Sequence, residues 1–254
     1  MELIDSHCHL DFAEFDEDRD TLIDSLLTRG VSSVIVPAVK PGNWQTVLDL
    51  TAKHDNLYPA LGIHPCFLEG SKRHDVDDLA ALIEQNPQVI AVGECGLDFT
   101  LDNVDEQRYY FTAQIKLAQQ FKLPLIIHHR KCHDIILAFL RKFKPQQGGV
   151  IHAFSGSYQQ AQQYIDLGFK LGIGGTITYS RAGKTREVVC KVPLESLILE
   201  TDAPDMPIYG RQGERNSPAY LGEVFTVLTL LRDEPAVEIE KQLLANTRSL
   251  FSLG

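Results

Sequence analysis

His7 and His9 stand one residue apart in Ile4-Asp5-Ser6-His7-Cys8-His9, directly after the apolar pair Leu3-Ile4. On a strand, alternate side chains face one way, so the two imidazoles point together as a metal clamp would. Residues of the same chemistry recur at the ends of other apolar runs. His64 follows Leu61-Gly62-Ile63, Glu94 follows the run 89–92, and His128, His129 and Arg130 follow the run 123–127. His152 follows Gly149-Val150-Ile151, and Glu200 and Asp202 follow Leu197-Ile198-Leu199. One histidine at a strand end is commonly a packing residue, but independent packing roles have no reason to share one edge. Imidazole mixed with carboxylate suits zinc, manganese, iron or hydrated magnesium rather than calcium, which takes oxygen alone. The set exceeds what one tetrahedral ion uses, which points to two ions sharing a carboxylate.

The elements that must hold these residues repeat as one unit. Apolar runs at 3–5, 31–36, 57–61, 89–92, 123–127, 149–151, 169–171 and 197–199 read as strands. Helical spacing covers 16–29, 43–54, 77–85, 105–121, 159–167, 184–190, 220–232 and 236–251. Nearly continuous apolar strands are buried on both faces, as parallel sheets covered by helices require. Eight such units in 254 residues match a closed (β/α)8 TIM barrel, whose active site lies at the C-terminal ends of the strands. An open doubly wound sheet is the rival architecture. No Pro-, Gly- or Ser-rich linker divides the chain, so 1–254 reads as a single domain.

Composition narrows the setting. With 44% hydrophobic and 23% charged residues the chain is ordinary globular material, and it has no apolar run long enough to span a membrane. Glu2, Asp5, Asp11 and Glu14 crowd the N-terminus and leave no secretory signal, so the expected compartment is the cytoplasm. Five scattered cysteines suit reduced thiols rather than a disulfide framework. Cys8 and Cys95 adjoin His7 and Glu94, but strand alternation turns them away as packed thiols. His54, His74 and His133 fall outside the strand ends and read as surface residues. Asp16-Glu17-Asp18 and Asp75, Asp77 and Asp78 read as solvated charges at helix starts. The net charge of -10 opposes broad adhesion to a polyphosphate chain, although bound cations can set a different local field.

Six blocks resemble, in order, the signature blocks of the TatD family of metal-dependent deoxyribonucleases, within the amidohydrolase-like superfamily. They begin at Asp5-Ser6-His7-Cys8-His9-Leu10, Gly62-Ile63-His64-Pro65, Gly93-Glu94-Cys95-Gly96-Leu97-Asp98, Leu123-Pro124, His152-Ala153-Phe154-Ser155-Gly156 and Glu200-Thr201-Asp202-Ala203-Pro204. The fourth block runs on to His128-His129-Arg130, and the resemblance spans essentially the whole chain. The run from Gly174 to Tyr179 and the run from Asp202 to Pro207 are most similar to the YjjV-type branch. The resemblance implies that His7, His9, Glu94 and Asp202 hold one divalent ion (zinc, magnesium or manganese) and that Glu94, His128 and His152 hold a second. It implies phosphate contacts from His64 and Arg130. Glu94 then stands where related amidohydrolases use a carboxylated lysine. His129 and Cys95 depart from the family pattern. The choice between His128 and His129 stays open, because the strand before them is apolar at both parities.

The implied activity is hydrolysis of DNA phosphodiesters by a metal-activated water, with Asp202 orienting the water or taking its proton. Two other readings stand beside it. One is a small-molecule phosphoesterase, lactonase or amidohydrolase with the same metal centre, acting on a small phosphate ester or similar substrate. The other is a barrel in which metals only brace the fold. No obligate protein partner is evident. If DNA is the substrate, Arg181, Lys184, Arg186, Arg211 and Arg215 could supply positive charge at the rim.

Overall fold

The computed structural model describes residues 1–253. Its eight strands are β1 (Leu3–Asp5), β2 (Val31–Pro37), β3 (Leu57–Leu61), β4 (Ala91–Asp98), β5 (Leu125–Arg130), β6 (Gly149–Ile151), β7 (Phe169–Ile173) and β8 (Leu197–Leu199). They form one sheet in sequence order, and every neighbouring pair is parallel. The order turns the sheet into a barrel because β8 returns to β1. Ser6 N–H donates to Leu199 O at 2.9 Å, Asp202 N–H to His7 O at 2.9 Å and His9 N–H to Ala203 O at 2.8 Å. These bonds sew the chain leaving β1 to the chain leaving β8 at the catalytic edge. The open doubly wound sheet is thereby excluded.

The helices are α1 (Arg19–Leu26), α2 (Trp44–Thr51), α3 (Asp75–Gln85), α4 (Val104–Phe121), α5 (His133–Phe143), α6 (Tyr158–Asp166), α7 (Gly183–Lys191), α8 (Leu221–Leu231) and α9 (Ala236–Phe251). None among the described residues is long and apolar enough to cross a membrane. The sequence reading places no helix where α5 lies, yet Ile136, Leu137 and Leu140 form its buried stripe at helical spacing. Four strands run on past the ends read from the sequence, β2 to Pro37, β7 to Ile173, and β4 and β5 furthest in consequence. β4 runs on through Glu94 to Asp98 and β5 through His128 to Arg130, because pairing with a neighbour continues where apolar character stops.

The core has two compartments. Ile35, Ala60, Ala91, Ile126, Val150 and Ile198 fill the barrel interior, with Phe251 of α9 packed among them. The larger compartment lies between strands and helices and takes Val34, Val36, Val92, Ile127, Ile151, Leu197 and Leu199. Side chains therefore alternate inside and outside along each strand. Counting on by twos from Ile126, Val150 and Ile198 brings His128, His152 and Asp202 to the inside.

β4 needs one adjustment. Ala91 is inside, while Val92, Cys95 and Leu97 all belong to the outer compartment. The register with β5 shifts between Val92 and Cys95, and that one-residue slip returns Glu94 and Asp98 to the interior.

One buried carboxylate ties the seam together. Asp5 accepts from Thr201 Oγ1 at 2.6 Å, Thr201 N–H at 3.0 Å and His7 N–H at 3.2 Å. Burial pushes its carboxyl up to about 7 against the opposing pull of those bonds. Thr201→Val removes one donor to this buried group. The expected loss is about 1–3 kcal/mol, read as a lower urea midpoint. The exposed Thr226→Val on α8 serves as the comparison and should leave the midpoint nearly unchanged.

Candidate metal centre

Glu94 lies at the middle of the site, with its side chain 3% exposed. Its two oxygens face different rings. Oε2 lies 3.2 Å from His7 Nε2 and 3.5 Å from His9 Nε2. Oε1 lies 3.3 Å from His64 Nε2, 3.3 Å from His128 Nδ1 and 3.8 Å from His152 Nε2. Asp202 Oδ1 closes the cluster at 3.4 Å from His152 Nε2 and 3.7 Å from both His7 Nε2 and His9 Nε2. All six residues read as ligands thus meet in one place, together with His64.

The spacing fits a cation between the donors. His7 Nε2 and His9 Nε2 are 3.2 Å apart, and each is 3.2–3.7 Å from the nearest Glu94 and Asp202 oxygens. Donors about 2.0–2.1 Å from a tetrahedral ion stand roughly 3.3 Å from one another. The rings are also oriented for it. His9 Nδ1 lies 3.1 Å from Pro37 O, which keeps the proton on that nitrogen and leaves Nε2 a lone pair. His152 Nδ1 lies 3.1 Å from Glu200 Oε1 on the far side of its ring. Glu200 in turn accepts from Ala153 N–H at 2.6 Å, and it fits only because residue 172 is glycine: a Cβ there would collide with the carboxylate.

His64 differs. Its Nδ1 accepts from Cys66 N–H at 3.1 Å, so the ring's proton sits on Nε2, which then donates rather than ligates. Cys66 Sγ comes near His64 and His128 but points its hydrogen toward Asp98 Oδ2 at 3.5 Å. Burial, with Asp98 beside it, pushes this thiol up to about 12, so it stays protonated at neutral pH.

Proton affinities follow from the crowding. Burial alone would raise the Glu94 carboxyl, but His64, His7 and His152 outweigh it and hold it well below the usual range. Burial likewise opposes charge on His152, yet Glu200, Asp202 and Glu94 raise it well above an ordinary imidazole. His7 goes the other way, lowered by burial and by the neighbouring His152. Glu94 and Asp202, both held below the usual carboxylate range, demand positive charge, which protons supply in the chain alone and a divalent cation would replace.

The structure decides between the paired histidines of β5. His128 faces inward to Glu94, with Asp98 Oδ2 3.6 Å from its other nitrogen. His129 faces outward, its ring 4.2 Å from that of His133 and 6.1 Å from Phe154. Burial, then His133 and His128, depress it well below the usual imidazole range. His133 is accordingly half-buried, with Nδ1 3.1 Å from Tyr164 Oη, and is not the surface residue expected. His74 does lie at the surface, whereas His54 is half-buried as well, its side chain 18% exposed. Cys8 and Cys95 are buried, their thiols turned to Ala203 O and Ile126 O as alternation requires.

Other expectations need correction. Asp75 is buried and accepts from Lys72 N–H at 2.7 Å, and Asp18 takes a two-pronged bond from Arg215 at 2.6 and 2.7 Å. Arg215 also stacks on Phe15, while Arg211 stacks on Tyr220 and lies 3.4 Å from Glu223. Arg186 donates to Ile177 O at 2.6 Å. Arg130, in contrast, is exposed at the end of β5 and lines the cleft of about 590 Å³ above the cluster. Sequence reasoning missed Asp98, although it stands four residues beyond Glu94 on the same strand face. It also missed Asn216, whose side chain donates to Thr201 O at 2.9 Å, Asp205 O at 2.7 Å and Met206 O at 3.2 Å, pinning the loop that carries Asp202. No periodic signal marks a loop residue of that kind.

A closed parallel barrel with histidines and carboxylates converging at the C-terminal edge of its strands defines the class, a metal-dependent hydrolase. The TatD related DNase family model matches residues 4–252, and the chain belongs to that family. It is 46% identical to an uncharacterized metal-dependent hydrolase, YjjV of Escherichia coli K12, over 98% of each chain. The crystal structure of that homologue superposes with a TM-score of 0.96 at 45% identity, covering 99% of this chain and 98% of the other. A protein of Erwinia tasmaniensis named 3'-5' ssDNA/RNA exonuclease TatD is 32% identical over 99% of this chain and 100% of its own.

The opposite orientations of the β5 histidines make a direct test. His128→Ala is expected to lose metal on dialysis, whereas His129→Ala should keep it and lose about 1–3 kcal/mol of stability. Metal content by plasma mass spectrometry checks this. Equal retention in both variants would mean that β5 supplies no ligand.

Proposed function

We propose that this TatD-family hydrolase cleaves DNA phosphodiesters at a binuclear centre organised by Glu94. His7, His9 and Asp202 with Glu94 Oε2 would hold one divalent ion, and His128 and His152 with Glu94 Oε1 the second; zinc, magnesium and manganese all suit this donor set. When bound, such a pair lowers the pKa of water and offsets charge on the phosphoryl oxygens. The division of the rings between the two Glu94 oxygens is the observation that carries this reading.

The chain's own groups do the rest. Asp202 is 16% exposed at the cleft floor, against 3% for Glu94, so it is the cluster carboxylate that attacking water can reach. It orients that water and takes its proton. His64, with its proton on Nε2, donates to a non-bridging phosphate oxygen. Arg130 offers a forked guanidinium to the same group from the open side. The DNase description of the family and the exonuclease name of the Erwinia relative support a nucleic-acid substrate. Five free cysteines suit a reducing cytoplasm.

One observation favours a small-molecule phosphoesterase, lactonase or amidohydrolase instead. Arg211 and Arg215 are engaged by Glu223 and Asp18, which leaves less free positive charge near the cleft than a polyanion would use. Metal-loaded protein should be offered single- and double-stranded DNA beside a panel of phosphate esters and lactones. DNA cleavage is expected, with kcat falling about 10²–10⁴-fold in Asp202→Asn. Turnover of a lactone or small ester with DNA left intact would select the second reading.

A further inference from the structure

Beside the metal cleft lies a second recess of about 500 Å³, lined by Thr176, Tyr179, Arg181, Ala182, Met206 and Pro207. Its size is within the roughly 300–1,000 Å³ of ordinary ligand sites. Thr176 and Met206 line both hollows, so they form one continuous surface. The recess is built from the loops that follow β7 and β8, at the catalytic end of the barrel.

Its character differs from that of the cleft. The Arg181 guanidinium lies 4.9 Å from the centre of the Tyr179 ring. Unlike Arg211 and Arg215, it has no carboxylate partner among the described residues. Met206 is 38% exposed and Tyr209 67%, both large apolar surfaces left to water. The platform is also held in place. Tyr179 Oη donates to Pro207 O at 2.7 Å, Tyr209 N–H to Thr178 Oγ1 at 2.8 Å, and the two tyrosines meet edge to face at 5.8 Å.

We propose that Tyr179, Arg181 and Met206 form a nucleobase subsite, which stacks one base of a single strand whose scissile phosphate occupies the adjoining cleft. This rests on the nuclease reading above and adds to it the surface that receives a base of the strand. An aromatic ring with a guanidinium beside it suits any base. A paired base would keep its faces covered by its own stack and could not use the recess. A small phosphate ester would fill the cleft and leave the recess untouched.

The test uses metal-loaded protein and a single-stranded oligonucleotide carrying 2-aminopurine beside a phosphorothioate linkage. Stacking should quench the fluorescence on titration. Arg181→Ala and Tyr179→Leu are each expected to weaken binding about ten-fold. Tyr179→Phe, which keeps the ring but loses the bond to Pro207 O, should bind more tightly than Tyr179→Leu. Hydrolysis of bis(p-nitrophenyl) phosphate should stay within about two-fold in all three, since none of these side chains faces the Glu94 cluster. If the wild type cleaves the oligonucleotide but quenching and KM are the same in Arg181→Ala, the subsite is wrong and the nuclease reading stands. If the wild type hydrolyses the small diester but neither binds nor cleaves the oligonucleotide, both fall together.

Discussion

A carboxylate that is almost wholly out of water cannot stay ionised without positive charge around it, and Glu94 is such a carboxylate. Five imidazoles, from His7, His9, His64, His128 and His152, approach its two oxygens from the ends of four strands. Removing any of them leaves a buried charge less compensated. That constraint links the barrel's architecture to its chemistry, because a closed ring of strands aims residues from the ends of β1, β3, β5 and β6 at Glu94 on β4. The arrangement that solves the electrostatic problem for the chain is also the candidate cradle for a metal ion.

Around that centre, much of the structure fixes orientation rather than adding donors. Pro37 sets the tautomer of His9, and Glu200 backs His152 from a space cleared by Gly172. Asp98 sits behind His128. Asp202 adopts a left-handed backbone at φ 60°, a conformation aspartate tolerates better than most residues. Its place is secured by its N–H bond to His7 O and by the three bonds that Asn216 makes to the loop. Preorganisation of this kind keeps the ligand atoms apart at distances a cation can bridge.

The surface charges follow a separate logic. With a net charge of -10, Arg211 and Arg215 near the rim are taken up by the chain's own acids. Pairs of this sort lie partly in water and contribute little to stability, but they remove positive potential from the surface. Arg130 and Arg181 stand out because they flank the two hollows without such partners among the described residues.

The sequence by itself determined a parallel sheet covered by helices and most of the residues that gather at the centre, while closure into a barrel was decided by the seam between β1 and β8. The repeated alternation of apolar runs and helical spacing requires a parallel sheet covered by helices, and a period of two makes His7 and His9 point together while Cys8 turns away. Those are local consequences of backbone geometry, which is why they are legible without a structure. The tertiary structure alone decided what depends on neighbours. Ile126 and Ile127 are equally apolar, so only the split between inner and outer core assigns His128 to the centre and His129 to the packing against α5. The slip in β4 that returns Glu94 and Asp98 to the interior is set by pairing with β5, and no pattern within β4 reveals it. Arg211 and Arg215 look like free cations in the chain, yet distant Glu223 and Asp18 occupy them, since an ion pair depends on proximity in space and not on spacing in sequence.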